Sequence, residues 1–97
     1  MKEIIAKLQS MKIKNNLQSR YVDHLRLVGS FARWEEQEHS DIDLLFQFKE
    51  TSELDRSIYA LPEELEQQLG RRVDMFDIDY LNKHIAPYIL SDKIAIW

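Results

Sequence analysis

The stretch Gly29–Phe48, GSFARWEEQEHSDIDLLFQF, decides the fold. From Asp41 it reads Asp-Ile-Asp-Leu-Leu-Phe-Gln-Phe. Ile42, Leu44, Phe46 and Phe48 share one parity, so in a strand they share one face. Asp41, Asp43, Leu45 and Gln47 take the other. Upstream, His24 to Val28 reads as a short strand that runs directly into Gly29-Ser30, which suits a strand-to-helix turn. Phe31 to Glu36 is expected to open a short helix. The stretch is therefore strand, turn, helix, loop, strand.

Working outward, Ile4, Ile5, Leu8 and Met11 fall at helical spacing and predict a helix from about Lys2 to Leu17, ended near Asn15-Asn16. Downstream, Ser52 is a suitable N-cap with Asp55 three residues later. The helix that follows carries Leu54, Ile58, Leu61, Leu65 and Leu69, with Gly70 just past its end. Pro62 should kink or restart it, because proline cannot donate the intrahelical bond. Val73 to Ile78 reads as a third strand, Pro87 to Asp92 as a helix and Lys93 to Trp97 as a short final strand. This alternation predicts an α/β (α+β) architecture, a small mixed sheet covered by helices on one side. The 97 residues are expected to form one domain, 1–97.

The composition narrows the chemistry. The chain has no cysteine, which excludes disulfides, thiolate zinc sites and a cysteine nucleophile. There is no apolar run near the roughly 18 residues that span a bilayer. The N-terminus lacks the apolar region of a secretory signal, so the cytoplasm is the default compartment. Net charge is −4, and the thirteen basic residues are scattered. A grip on long nucleic acid usually needs a basic stripe. A small anionic ligand accompanied by metal is compatible with an acidic protein.

Asp41 and Asp43 stand at i and i+2, with side-chain bases about 6–7 Å apart on one face of a strand. Carboxylates at that spacing can converge on a pair of divalent ions. Magnesium takes oxygen ligands and shares them readily between protein and phosphate. Two such ions clamp the attacking and leaving oxygens of a phosphoryl or nucleotidyl transfer. Glycine at 29 lets backbone approach a phosphate closely. Ser30 sits where a helix should begin, and helix N-termini present free N–H groups to anions. Alone, Asp-x-Asp is more often a solvated strand end, and Gly-Ser an ordinary turn. Together, at a fixed spacing of ten residues, they would match by chance in about one chain per thousand of this length.

With these residues in place the chain resembles the minimal nucleotidyltransferases of the DNA polymerase beta superfamily, the MNT type. Their signature is Gly-Ser, ten residues, Asp-x-Asp, present here as Gly29, Ser30, Asp41 and Asp43. GSFAR, SDIDLL and VDMF at Val73 to Phe76 are also similar to the family. One departure is visible: the family often has glycine after Ala-Arg, and this chain has Trp34, followed by Glu35, Glu36 and Glu38.

The resemblance implies the nucleotidyltransferase fold and a set of roles. Asp41, Asp43 and Asp74 would hold two magnesium ions and carry catalysis, with Asp74 helping to deprotonate the incoming hydroxyl. Gly29 and Ser30 would hold the triphosphate of ATP. Arg33, within one turn of Ser30, could reach a phosphate bidentately. Asp77 and Asp79 are rivals for the third carboxylate. Asp74 is preferred because Val73 and Met75 flank it inside the strand, whereas Asp79 is expected to cap the next helix. Three clustered acids repel, so at least one should have a raised pKa without metal. Arg71 and Arg72 read as solvated strand-edge residues. His24, His39 and His84 share no metal spacing.

The family transfers a nucleoside monophosphate from a triphosphate to a hydroxyl. The chain leaves no residues for an acceptor domain, so a partner or a second copy of the chain is expected to supply that site. Proteins of this type typically pair with a small helical HEPN toxin, and some transfer AMP to a toxin tyrosine. The leading expectation is such an adenylyltransferase antitoxin. The alternatives are a catalytically idle binding antitoxin and a small-molecule nucleotidyltransferase of the aminoglycoside-modifying kind.

Overall fold

The first apolar stripe does not make one helix. In the structure, a computed structural model, α1 spans Lys2–Gln9 and α2 spans Met11–Ser19. The structure describes the chain except residues 1, 36, 38–39, 50–55 and 92 and the side chains of residues 56 and 57. Ser10 is extended between the two helices, and its hydroxyl donates to the Lys7 carbonyl at 2.6 Å. The break has a packing reason. Ile4 and Leu8 are buried in α1, and Ile13 and Leu17 in α2. Leu8 to Ile13 is a five-residue step, which an unbroken helix would rotate off the shared face. Met11, expected in the stripe, is exposed, and Asn15-Asn16 lies inside α2 rather than ending it.

The remaining elements are β1 (Val22–Val28), α3 (Gly29–Ala32), β2 (Ile42–Phe48), a 3-10 turn (Arg56–Ala60), α4 (Leu61–Leu69), β3 (Val73–Asp77), a second 3-10 turn (Ile78–Tyr80), α5 (Ala86–Ser91) and β4 (Ile94–Ala95). The expected Ser52 cap, its Asp55 partner and Leu54 lie outside the described residues. Pro62 restarts the chain as α4 instead of kinking a longer helix, because its missing N–H falls at the helix start where no bond is needed. Gly70 closes α4 in the left-handed conformation, φ 72°.

Among the described residues the sheet order is β3-β2-β1-β4. β1 is antiparallel to both β2 and β4, and β2 is parallel to β3. The sheet is therefore mixed, as expected. Its main face carries Leu25, Leu27, Ile42, Leu44 and Phe46, packed with residues of α1, α2 and α4. A register irregularity between Val22 and His24 brings Val22 into the same core despite its parity. Burying each such aliphatic side chain contributes about 1.5–3 kcal/mol. At the C-terminus the Trp97 indole donates to the Leu8 carbonyl at 3.1 Å and ties the chain end to α1.

Helices on one side only is a reading the structure corrects. A second, smaller cluster joins Val28, Leu45 and Ile89, with Phe76, Ile78 and Leu81 against it. Leu45 has the parity of Asp43, so α5 covers part of the very face that carries the acids. No described helix is long and apolar enough to cross a membrane.

α3 is shorter than expected, ending at Ala32. Trp34 follows it at φ 58°, in the left-handed region that suits glycine. The Trp34 side chain is 64% exposed, so it does not fill the turn. Because alanine keeps the left-handed penalty and glycine removes it, Trp34→Gly is expected to be more stable than Trp34→Ala by about 0.5–1 kcal/mol. Equal denaturation midpoints for the two variants would show that this backbone conformation is not imposed by the fold.

Candidate functional site

β1 and β2 run antiparallel at the site, and the connection between them, residues 29–41, begins with α3. Val28 pairs with Asp43 across the antiparallel ladder. Gly29 therefore leaves β1 directly beside the Asp43 carboxylate. Its φ is +71°, and a Cβ placed on it would collide with Asp43 Oδ2. Glycine is required twice here, by backbone conformation and by space. From Gly29 the chain turns into α3, where the Arg33 N–H donates to the Gly29 carbonyl at 3.2 Å and the Glu35 N–H to the Ser30 carbonyl at 2.9 Å.

On the other side of β2, Asp43 is in register with Asp74 of parallel β3. Residues paired in this way project to the same face of adjacent strands, which lie about 4.8 Å apart. Asp41 sits two residues before Asp43 at the start of β2. The three acids sense one another. Half-burial, then the Asp74 charge, then that of Asp41 push the Asp43 carboxyl up from its ordinary 3.8 to about 6, with Arg33 opposing.

The rivals for the third carboxylate separate cleanly. Asp77 pairs with Phe46 at the far end of the ladder, on the opposite parity from Asp74. Its Oδ1 accepts the Asp79 N–H at 2.9 Å, so Asp77 rather than Asp79 is the capping residue. Asp79 is exposed. Arg33 lies beside the site, but its Nε donates to Glu35 Oε2 at 3.2 Å. Arg72 is exposed, with Nε 3.9 Å from Asp74 Oδ1.

Arg71 departs from its expected place as a solvated edge residue. Its Nη1 donates to the Gln37 carbonyl at 2.9 Å and the Ser40 carbonyl at 3.2 Å, and its guanidinium lies 5.1 Å from the centre of the Phe31 ring. No spacing in the sequence could have shown this, because the contacts cross more than thirty residues. The His24 imidazole lies 3.6 Å from the carboxylate of its neighbour Asp23, His84 is exposed, and His39 lies outside the described residues.

Whether this site suits a divalent cation can be tested on its donors. They are carboxylate oxygens, the ligands of a hard cation. Asp43 carries uncompensated repulsion that a cation would relieve. Among the described residues no three acids or histidines already close on one point.

Two measurements check the site's physics. Gly70 has φ +72° and open space around it, whereas Gly29 has φ +71° and the Asp43 carboxylate against it. Gly70→Ala is expected to cost about 1 kcal/mol and Gly29→Ala a further 1–3 kcal/mol, by chemical denaturation. Equal costs would contradict the close contact. For Asp43, a value raised in the folded chain means that ionisation opposes folding. That loss grows as pH rises from 3.8 to about 6 and is complete above. Asp43→Asn should therefore stabilise the metal-free protein at pH 7.5 by about 1–2 kcal/mol, allowing for solvent at a half-buried group, and by little at pH 4. A destabilised variant at both pH values would contradict it.

The comparisons with known proteins agree with this geometry. The family described as "Polymerase beta, Nucleotidyltransferase" matches residues 11–97. The chain is 36% identical over 84 residues to the protein adenylyltransferase MntA of Thermococcus cleftensis, covering 86% of this chain and 84% of that one. A solved toxin–antitoxin structure with AMP-PNP contains a chain that superposes with a TM-score of 0.71 at 22% identity, covering 89% of this chain and 70% of that one. A chain in the complex of tri-AMPylated Shewanella oneidensis HEPN toxin with MNT antitoxin superposes with a TM-score of 0.64 at 21% identity, covering 94% and 71%. The structural neighbours share the fold, the sequence match spans nearly the whole chain, and this protein belongs to the polymerase beta nucleotidyltransferase family.

Proposed function

We propose that this chain moves AMP from ATP to a tyrosine hydroxyl of a helical HEPN-type partner in the cytoplasm, and that it acts thereby as an antitoxin. The observation that carries the reading is the register of Asp43 with Asp74, beside a left-handed glycine whose missing side chain leaves room for the Asp43 carboxylate. The relative named protein adenylyltransferase MntA supports the reaction, and the toxin–antitoxin structures of the same fold support the partner.

The proposed roles follow from position. Gly29 and Ser30 bring backbone N–H groups and a hydroxyl to the triphosphate at the start of α3. This is the arrangement that accommodates anions at a helix start. Arg33 exchanges its Glu35 contact for a phosphate oxygen. Asp41, Asp43 and Asp74 are the carboxylates toward the metal. Nucleotidyltransferases of this family work with divalent metal ions, and two magnesium ions are proposed here, which would supply charge neutralisation to the acids and the triphosphate together. The acceptor oxygen attacks the α-phosphorus, and its bond to the β-bridging oxygen breaks. Pyrophosphate leaves, and the hydroxyl proton passes to Asp74.

α5 and the second apolar cluster occupy one part of the acid-bearing face and leave the Asp43–Asp74 end accessible to an acceptor. The toxin–antitoxin complexes of the same fold support an acceptor carried on another protein.

The test is label transfer in a lysate of the native host with magnesium, comparing α-labelled and γ-labelled ATP. The expected result is label from the α position only, on one small protein, and none with the Asp41→Asn/Asp43→Asn double variant. Label from the γ position, label that survives in the double variant, or no labelled protein would overturn the reading.

A further inference from the structure

We propose that Arg71 is the positioning residue that locks the phosphate turn, the Asp41 end of β2 and the Asp74 strand into one arrangement. The role rests on the nucleotide-handling reading above. None of the three motif pieces is adjacent to another in sequence, and each is attached to a different element. Gly29-Ser30 opens α3, Asp41 and Asp43 open β2, and Asp74 lies in β3. Something must fix their relative positions to a fraction of an ångström, because small misplacements of reacting groups cost large factors in rate.

Arg71 contacts residues next to two of these pieces and lies in the chain just before the third. It stands two residues before Val73, so its backbone moves with the start of β3. Its Nη1 donates to the Ser40 carbonyl at 3.2 Å, the residue immediately before Asp41. The same nitrogen donates to the Gln37 carbonyl at 2.9 Å, three residues before Ser40. Its guanidinium roofs the fully buried Phe31 ring at 5.1 Å, one residue after Ser30. Planar stacking together with directed N–H donation is a combination specific to arginine. The backbone adds a parallel tie, since the Ile42 N–H donates to the Arg72 carbonyl at 2.8 Å. That bond sets the strand ends together, and the Arg71 side chain also reaches Phe31 of α3.

The residue touches no reacting atom in this arrangement, so it acts through the groups it holds. Arg71→Met removes both hydrogen bonds and the cation. Arg71→Lys keeps a cation with N–H donors but loses the flat guanidinium that lies over the Phe31 ring. Arg20→Met serves as the control for general destabilisation. Arg20 donates to Glu64 at 2.6 and 3.1 Å and joins α2 to α4 away from the site.

Two readouts are taken well below the melting transition: the affinity for magnesium with AMP-PNP by calorimetry, and the rate of cleavage after Glu35 by a glutamate-specific endoproteinase. The expected result is roughly tenfold weaker binding and at least severalfold faster cleavage for Arg71→Met, with Arg71→Lys between it and the native chain. Arg20→Met should change neither. Native-like affinity or native-like cleavage in Arg71→Met would overturn the proposal, as would an Arg20→Met variant that behaves the same way. If the native chain does not bind AMP-PNP, the nucleotide reading fails and the positioning role with it. The cleavage rates then report separately whether Arg71 holds the loop.

Discussion

Three carboxylates are held on one face of a small sheet against their mutual repulsion. Asp43 faces Asp74 across a parallel ladder, and Asp41 stands two residues away. Left without a cation, Asp43 is pushed up to about 6 by burial and by those neighbours. That arrangement costs the metal-free fold stability at neutral pH. The cost is carried by the core beneath it: Ile42 and Leu44 alternate with the acids along β2 and are fully buried on the opposite face. The alternation that buries the aliphatic side chains is the same alternation that presents the acids.

The second constraint is the contact between Gly29 and Asp43. It joins the turn to the carboxylates at van der Waals range and explains why a strand, a turn and a second strand have to come in this order. β1 must end at the level of Asp43 so that the left-handed glycine falls against the carboxylate. The site is thus a property of strand register. A one-residue slip between β1 and β2 would turn the acids into the core.

Much of this was legible in the sequence, for identifiable reasons. The parity of Asp41 to Phe48 gave the face of each side chain, and Gly70 and Pro62 marked the ends of α4 correctly because their backbone restrictions act locally. Asp74 could be preferred over Asp77 and Asp79 from its apolar neighbours, and the ladder places it opposite Asp43. Other features depended on distant contacts. The break at Ser10 is set by the need of α1 and α2 to face one core, which periodicity over a short window does not reveal. The cover of the second face by α5 rests on Ile89 meeting Leu45. Arg71 looked like an edge residue because its partners, Phe31, Gln37 and Ser40, lie far back in the chain. Trp34 stood out as a departure from the glycine usual in the family, yet its side chain is exposed while its backbone takes the conformation that glycine would adopt.

The account turns on the charge state of Asp43, and a carboxyl titration followed by 13C NMR measures it directly. Without divalent metal the Asp43 carboxyl should titrate near pH 6, and with magnesium and AMP-PNP its midpoint should fall well below the ordinary 3.8. A metal-free midpoint at the ordinary value, or a raised midpoint that magnesium and nucleotide leave unmoved, would contradict the claim that these acids form a cation-dependent nucleotide site.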